Sequence, residues 1–270
     1  MGPARFGSYV LSLVLLLPAA PTFAQQTTPT PTSDPQAVAL VTKALAALTG
    51  GRPITDVTLT GTATRTAGSD VETGAITLKA LGPFDSRIDF AGSGGNLAEI
   101  RNSLEGLPQG AWIGTDGVSH AMVGHNCMTD AVWFFPALSI LTQVANPNVV
   151  ASYVGLETRN GASLQHVRFV AVNANMSGAT ATLLSALSRE DVYLDATSLL
   201  PIVISFNTHS DDDALTNIAI EIDFSDYQNV SGSLIPFKTQ RLVNNGIFLE
   251  LSIESAALNS GLSDSTFAIH

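Results

Sequence analysis

The densest group of side chains able to bind a metal or act as nucleophiles lies in SHAMVGHNCM, where His120, His125 and Cys127 fall close together. Two imidazoles and a thiolate in one loop would suit zinc or copper. Their spacing matches no zinc-finger pattern and no fourth ligand is evident, so the segment reads as a polar loop and no metal is expected. Cys127 is the only cysteine, so no internal disulfide can form. A lone thiol of this kind packs as a small apolar group more readily than it serves as a nucleophile. Asp211-Asp212-Asp213 offers carboxylates for calcium. A calcium loop needs alternate ligands, a glycine and a later glutamate; Ala214-Leu215 breaks that order, which leaves a solvated turn. Gly92-Ser93-Gly94-Gly95 lacks the spacing of a nucleophile elbow. Scattered Asp, Ser and His residues do not make a triad, because a triad is defined by geometry. No catalytic residue and no cofactor is assigned, and the chain is expected not to be an enzyme. An exported hydrolase would have only those scattered residues in its favour.

The elements that would position a site follow a leader. MGPARFGSYVLSLVLLLPAAPTFAQQ has a positive start at Arg5, an apolar run from Val10 to Leu17, and small residues around Thr22-Phe23-Ala24. That order predicts a secretory signal peptide over residues 1–24, cut after Ala24. The run is shorter than the roughly 20 apolar residues of a membrane span, and no other run approaches it. No transmembrane segment is therefore expected after cleavage, and no cysteine near the cut offers a lipid anchor. The expected location is periplasmic or secreted. Residues 25–35, QQTTPTPTSDP, read as a Thr/Pro-rich linker. Residues 36–270 suit a single large β domain. Without disulfides it must rest on burial, which 45% hydrophobic residues permit. The net charge of −11 argues against a nucleic-acid partner. It equally argues against charge-driven binding to an anionic membrane.

The hydrophobic period then sets the elements. Val38, Val41, Leu45 and Leu48 share one face of a helix over Gln36–Leu48, which Gly50-Gly51 ends. From Ile54 the period falls to two through ITDVTLTGTATR, VETGAITLKAL, FDSRIDFA and NLAEIRNS, and Asp116-Gly117 marks a hairpin turn. TDAVWFFPALSILTQV interrupts this meander and reads as one bent helix or two short ones, with Pro136 at the break. Strands resume at VVASYVGLE and turn at Asn160-Gly161; ATLLSALSR suggests a short helix. In NIAIEIDF, Ile218, Ile220, Ile222 and Phe224 point one way and Ala219, Glu221 and Asp223 the other, as in a half-buried antiparallel strand. Pro236, in SLIPFKTQ, belongs at an edge or a bulge. The fold class is mainly β, with α+β character. It is a large antiparallel curved sheet or incomplete β-barrel of roughly ten strands, with an N-terminal helix and mid-chain helices over its open side.

That order of elements over Gln36–Ile269 resembles the LolA/LolB/RseB-like superfamily. The residue-level likeness lies between Asp191 and Ile269, in VYLDATSLLPIVISF, in the corner YQNVSGSLIPFKTQ, in the turn NNG, and in the closing LNSGLSDSTFAI. The resemblance implies an incomplete barrel closed by helices that binds lipid or the acyl chains of lipoproteins in the bacterial envelope, and no single binding residue of that group maps onto a position here. Trp133, Phe134, Phe135, Leu138 and Leu141 are the candidates for a lid face, and Ile218, Ile220 and Ile222 for a cavity wall. The usual burial of such residues favours ordinary core over ligand lining. Two functions follow: a non-enzymatic binder of a hydrophobic ligand or lipoprotein acyl chains, or an interaction module of the envelope with a fully packed interior and a protein partner.

Overall fold

Alternating threonine and aliphatic residues, punctuated by short turns, build the sheet. The computed structural model describes Met1–Gly2 and residues 31–270. The leader, its cleavage site and residues 25–30 of the linker lie outside the described residues. Helix α1 (Pro35–Thr49) opens where Asp34 accepts a hydrogen bond from Gln36 N–H at 2.8 Å, and ends at Gly50 with a φ of 60°. Both caps follow from residue type, because an acidic N-cap satisfies a free amide and glycine tolerates the left-handed turn.

The first meander comprises β1 (Asp56–Ala67), β2 (Asp70–Leu81), β3 (Asp85–Gly92), β4 (Gly95–Leu104), β5 (Leu107–Ile113) and β6 (Ser119–Ala121). The second comprises β7 (Val149–Arg159), β8 (Ala162–Ala171), β9 (Glu190–Asp195), β10 (Pro201–Ser210), β11 (Asp213–Val230), β12 (Ser233–Val243) and β13 (Gly246–Leu258). A short helix α2 (Gly178–Leu187) joins β8 to β9. The thirteen strands among the described residues form one antiparallel sheet in the order β6-β5-β4-β3-β2-β1-β13-β12-β11-β10-β9-β8-β7. Roughly ten were expected; β6, three residues long, has too little alternation to be read as a strand. The sheet is curved and open, as anticipated, with β6 and β7 as its two edges.

Turn chemistry fixes the register. Asn160 and Gly161 join β7 to β8 at φ values of 50° and 82°, and Asn244 and Asn245 join β12 to β13 at 48° and 65°. Tight hairpins of this kind need positive φ at both central residues. Ser231 and Gly232 repeat the arrangement at 53° and 89°, which accounts for the corner between β11 and β12. Pro236 pairs with Tyr227 of β11, while β13 meets β12 only from Lys238 to Val243. The proline thus sits where β12 has no neighbour on its second side, and its missing N–H costs no ladder bond.

One helical expectation changes. Residues 131–134 and 136–138 form two turns, followed by a 3-10 helix at Ile140–Ala145. Pro136 removes a donor and biases Phe135 away from helical backbone, and tertiary contacts outweigh the apolar period on both sides of it. The C-terminal tail is pinned by Asp56, which accepts bonds from Ser260 N–H at 2.7 Å and Gly261 N–H at 3.1 Å. Phe267 then buries itself against the sheet, and its carbonyl accepts from Asn102 Nδ2 at 2.8 Å.

Between β1 and β13 the register slips at Thr60/Gly61. A Cβ added to Gly61 would lie 2.1 Å from the Ser252 carbonyl oxygen, so only glycine fits this bulge. Gly61→Ala should therefore destabilise the protein by about 1–3 kcal/mol through overpacking, read as a lower urea midpoint at an unchanged m-value.

Candidate functional site

Topology dictates the site. β6 and β7 follow one another in sequence yet occupy opposite edges of the sheet. Residues 122–148, which join them, supply the side chains that fill the concave face. Trp133, Phe134, Phe135, Leu138 and Leu141 are all buried and share one cluster with Ile220 and Ile222. Ile218 packs against the same cluster while partly exposed. The structure thus gathers all eight sequence-predicted residues into one interior, as the packed core of the protein. Helix α1 adds Ala37, Val41, Ala44 and Leu48 and lies against β7, β12 and the 3-10 helix.

Two polar anchors hold this plug. Arg101, on β4, is 4% exposed. Its Nη2 donates to the carbonyls of Asn126 at 2.8 Å and Thr129 at 3.2 Å, and its Nη1 to Thr129 Oγ1 at 3.1 Å and Asp130 O at 3.3 Å. Asp130 accepts from Val132 N–H at 2.8 Å and from Ile140 N–H at 3.3 Å, so one carboxylate ties both ends of the aromatic turn. Beyond it stands Glu190, 3% exposed, on β9. Burial, followed by the adjacent Asp130 charge, pushes the Glu190 carboxyl well above its ordinary range, and burial also raises Asp130 despite its two amide donors. Two carboxyls this close hold a proton between them.

Packing around the plug is incomplete on two flanks. A cavity of about 350 Å³ is lined by Arg101, Asp130, Ile140, Val149 and Glu190, with Phe84 at its margin. A second, of about 240 Å³, lies by Trp133, Glu99, Arg241 and Phe206. The indole N–H of Trp133 has no acceptor among the described residues, although the Arg241 guanidinium lies 5.0 Å from the ring centroid. A buried donor without a partner costs about 1–3 kcal/mol.

The histidine and acidic motifs form no joint centre. His120 stacks on Trp112 with ring centroids 3.9 Å apart, His125 Nε2 lies 3.0 Å from Ser210 O, and Cys127 is buried with its thiol raised by burial. Among the described residues no group of three metal-ligating side chains converges. Asp213 accepts from Leu215 N–H at 2.9 Å and Thr216 Oγ1 at 2.6 Å, as a turn residue does.

The sequence reading overlooked another charged cluster, centred on His166. Its ring nitrogens lie 2.6 Å from Glu157 and 2.7 Å from Asp191. Burial opposes charge at both His166 and Asp191. Even so, hydrogen bonds from His166 and Arg168 lower Asp191 to about 2, and the two carboxylates raise His166. Arg101, Asp130 and Glu190 were overlooked too. Their signal is parity: Glu190 shares the inward register with Val192 and Leu194, where a charge has no place in an ordinary core strand.

Comparison with known proteins places the fold. No family model and no curated protein sequence matches the chain. Solved structures do. A domain from Vibrio parahaemolyticus assigned to outer membrane lipoprotein sorting aligns at 12% identity and a TM-score of 0.56, covering 86% of this chain and 96% of that one. A DUF1329 family protein from Desulfovibrio piger aligns at 13% and 0.55, covering 86% and 96%. A LolA superfamily protein from Nitrosomonas europaea aligns at 10% and 0.51, covering 86% and 97%. The resemblance read from the sequence is thus borne out as a shared fold.

Two outcomes are expected. Phe134→Ala should cost about 3–5 kcal/mol in urea unfolding, because it leaves a large cavity at the centre of the plug. The Asp130–Glu190 pair has its opposite signature in pH. Carboxyls raised in the folded state stabilise it below their ordinary values of about 4, and that contribution is lost as pH rises through the folded values. Urea midpoints should therefore fall as pH rises from about 5 to 8, and less steeply in Glu190→Gln.

Proposed function

We propose that this protein is an exported, non-enzymatic carrier or sensor that accommodates the acyl chains of a lipid or a lipidated protein inside its curved sheet. In this reading residues 1–24 are removed on export, residues 25–35 tether the body, and residues 36–270 act as one domain in the bacterial envelope. No helix among the described residues is long and apolar enough to cross a membrane, which agrees with that placement. The observation that carries the proposal is the plug. An interior this apolar is closed by turns and a 3-10 helix rather than by strands, and cavities of about 350 and 240 Å³ flank it. Acyl chains entering between the sheet and Trp133, Phe134, Phe135, Leu138 and Leu141 would exchange one apolar contact for another. Ile218, Ile220 and Ile222 would then form the wall against which the chains lie. Each methylene removed from water contributes about 0.8 kcal/mol, so a single long chain can offset the contacts that the plug gives up. The names of the lipoprotein-sorting and LolA superfamily neighbours point the same way.

A second reading keeps the interior closed. Trp133, Phe134 and Phe135 are each only 1% exposed, which favours a packed module that works through a protein partner on its surface.

Native mass spectrometry with lipid extraction separates the two readings. The carrier should show stoichiometric lipid, lost in Leu138→Asp, and amide exchange across residues 129–145 should quicken when a diacylated peptide is added. A clean apo mass, with no uptake of fatty acid or diacylated peptide, would sink the carrier reading and leave the interaction module.

A further inference from the structure

The larger cavity has a property that acyl-chain binding does not explain. Its walls are apolar at Ile140, Val149 and Phe84, yet Asp130 and Glu190 both line it. Glu190 is 3% exposed, and apart from the neighbouring Asp130 carboxyl its Oε1 has no hydrogen-bond partner among the described residues. The one cation at this wall, Arg101, spends its donors on the carbonyls of residues 126, 129 and 130 and on Thr129 Oγ1, and makes no ion pair with either carboxylate. Two carboxyls therefore share a cavity wall with Arg101 nearby but with no direct ion pair. Proteins seldom leave a buried charged group short of partners unless function requires it. At about 350 Å³ the cavity falls within the roughly 300–1,000 Å³ of small-molecule sites.

We propose that this cavity binds the head group of a cationic amphiphile, a primary ammonium on an apolar tail, with Asp130 and Glu190 as its joint counter-ion. The ammonium enters beside Phe84, Pro83 and Pro108, which line the open margin together with Gly106. The Glu190 and Asp130 carboxylates accept its N–H donors, and the tail lies along Ile140 and Val149. The step balances simply. The pair holds one proton between two carboxyls when the site is free; the ammonium replaces that proton, which leaves to solvent, and no covalent bond changes. An anionic head such as a fatty-acid carboxylate would be repelled by the ionised pair and could turn only to side-chain amides such as Gln109 and Asn148 elsewhere on the lining, and a neutral alcohol would gain one hydrogen bond without releasing a proton. The other charged and titratable groups facing the pair are Arg101 of β4, Asp191 of β9 and the Cys127 thiol. Arg101 favours the ionised carboxyls, whereas Asp191 opposes ionisation of Glu190. The site lies beside the plug, so it holds whether or not the plug is ever displaced.

Calorimetry of the purified protein with dodecylamine, dodecanol and dodecanoate, in two buffers of different ionisation enthalpy, tests the proposal. Dodecylamine should bind with release of about one proton, and its affinity should rise by up to about tenfold per pH unit below the titration of the pair. Glu190→Gln preserves shape and hydrogen bonding to Asp130 but cannot ionise. It should weaken dodecylamine by about tenfold or more, abolish proton release and leave dodecanol unchanged. The proton count on the unaltered protein stands even if that variant folds poorly. Failure of dodecylamine to bind, binding without proton release, or equal affinity for dodecanoate would each overturn the assignment. None of these results decides whether acyl chains enter the interior.

Discussion

Everything else in this structure follows from the chain having to travel from one edge of an open sheet to the other. β6 and β7 lie at opposite ends of the strand order, so the segment between them cannot run along an edge. It must cross the concave face, where water would otherwise meet Ile220, Ile222 and Phe224. An open sheet of this size buries one face only if something else in the chain covers it. Here residues 129–145 and α1 do so, and the sheet edge at β7 is itself partly satisfied by the backbone at Asp34, whose N–H donates to Ala151 O at 2.8 Å.

A cover made of turns needs polar anchors, because turns satisfy few of their own backbone groups. Arg101 and Asp130 perform this task from opposite directions, one donating to carbonyls and the other accepting from amides. Neither is an ordinary core residue, and together with Glu190 they place ionisable groups beside an apolar interior. The same arrangement that makes the plug fold correctly also leaves it a seam with cavities on both flanks. The contacts that hold the plug are thus the ones that border the cavities. The second charged cluster, around His166, has no such seam: Glu157, Asp191, Arg168 and Arg189 saturate one another, and Tyr193 stacks on the imidazole at 4.3 Å. It reads as a staple across β7, β8 and β9.

Much of the fold was legible in the sequence because strands and turns are specified locally. The alternation of Ile218, Ile220, Ile222 and Phe224 is a statement about one strand, and Asn160-Gly161 or Asn244-Asn245 about one hairpin. The helix over Gln36–Leu48 was visible for the same reason, with its caps at Asp34 and Gly50. The aromatic stretch at Trp133–Phe135 was legible as buried but not in conformation, since Pro136 and long-range packing outweighed its helical period.

The sequence by itself determined the elements, their antiparallel pairing, the apolar residues that must be hidden, and the acidic balance that argues against a nucleic-acid partner. Tertiary structure alone decided which charges meet. Arg101 lies on β4, Asp130 in the connection and Glu190 on β9, far apart in the chain. Their convergence depends on how the sheet curves and where the crossing segment comes to rest. Local periodicity carries no information about either, because each of those contacts is settled by the closure of the whole sheet.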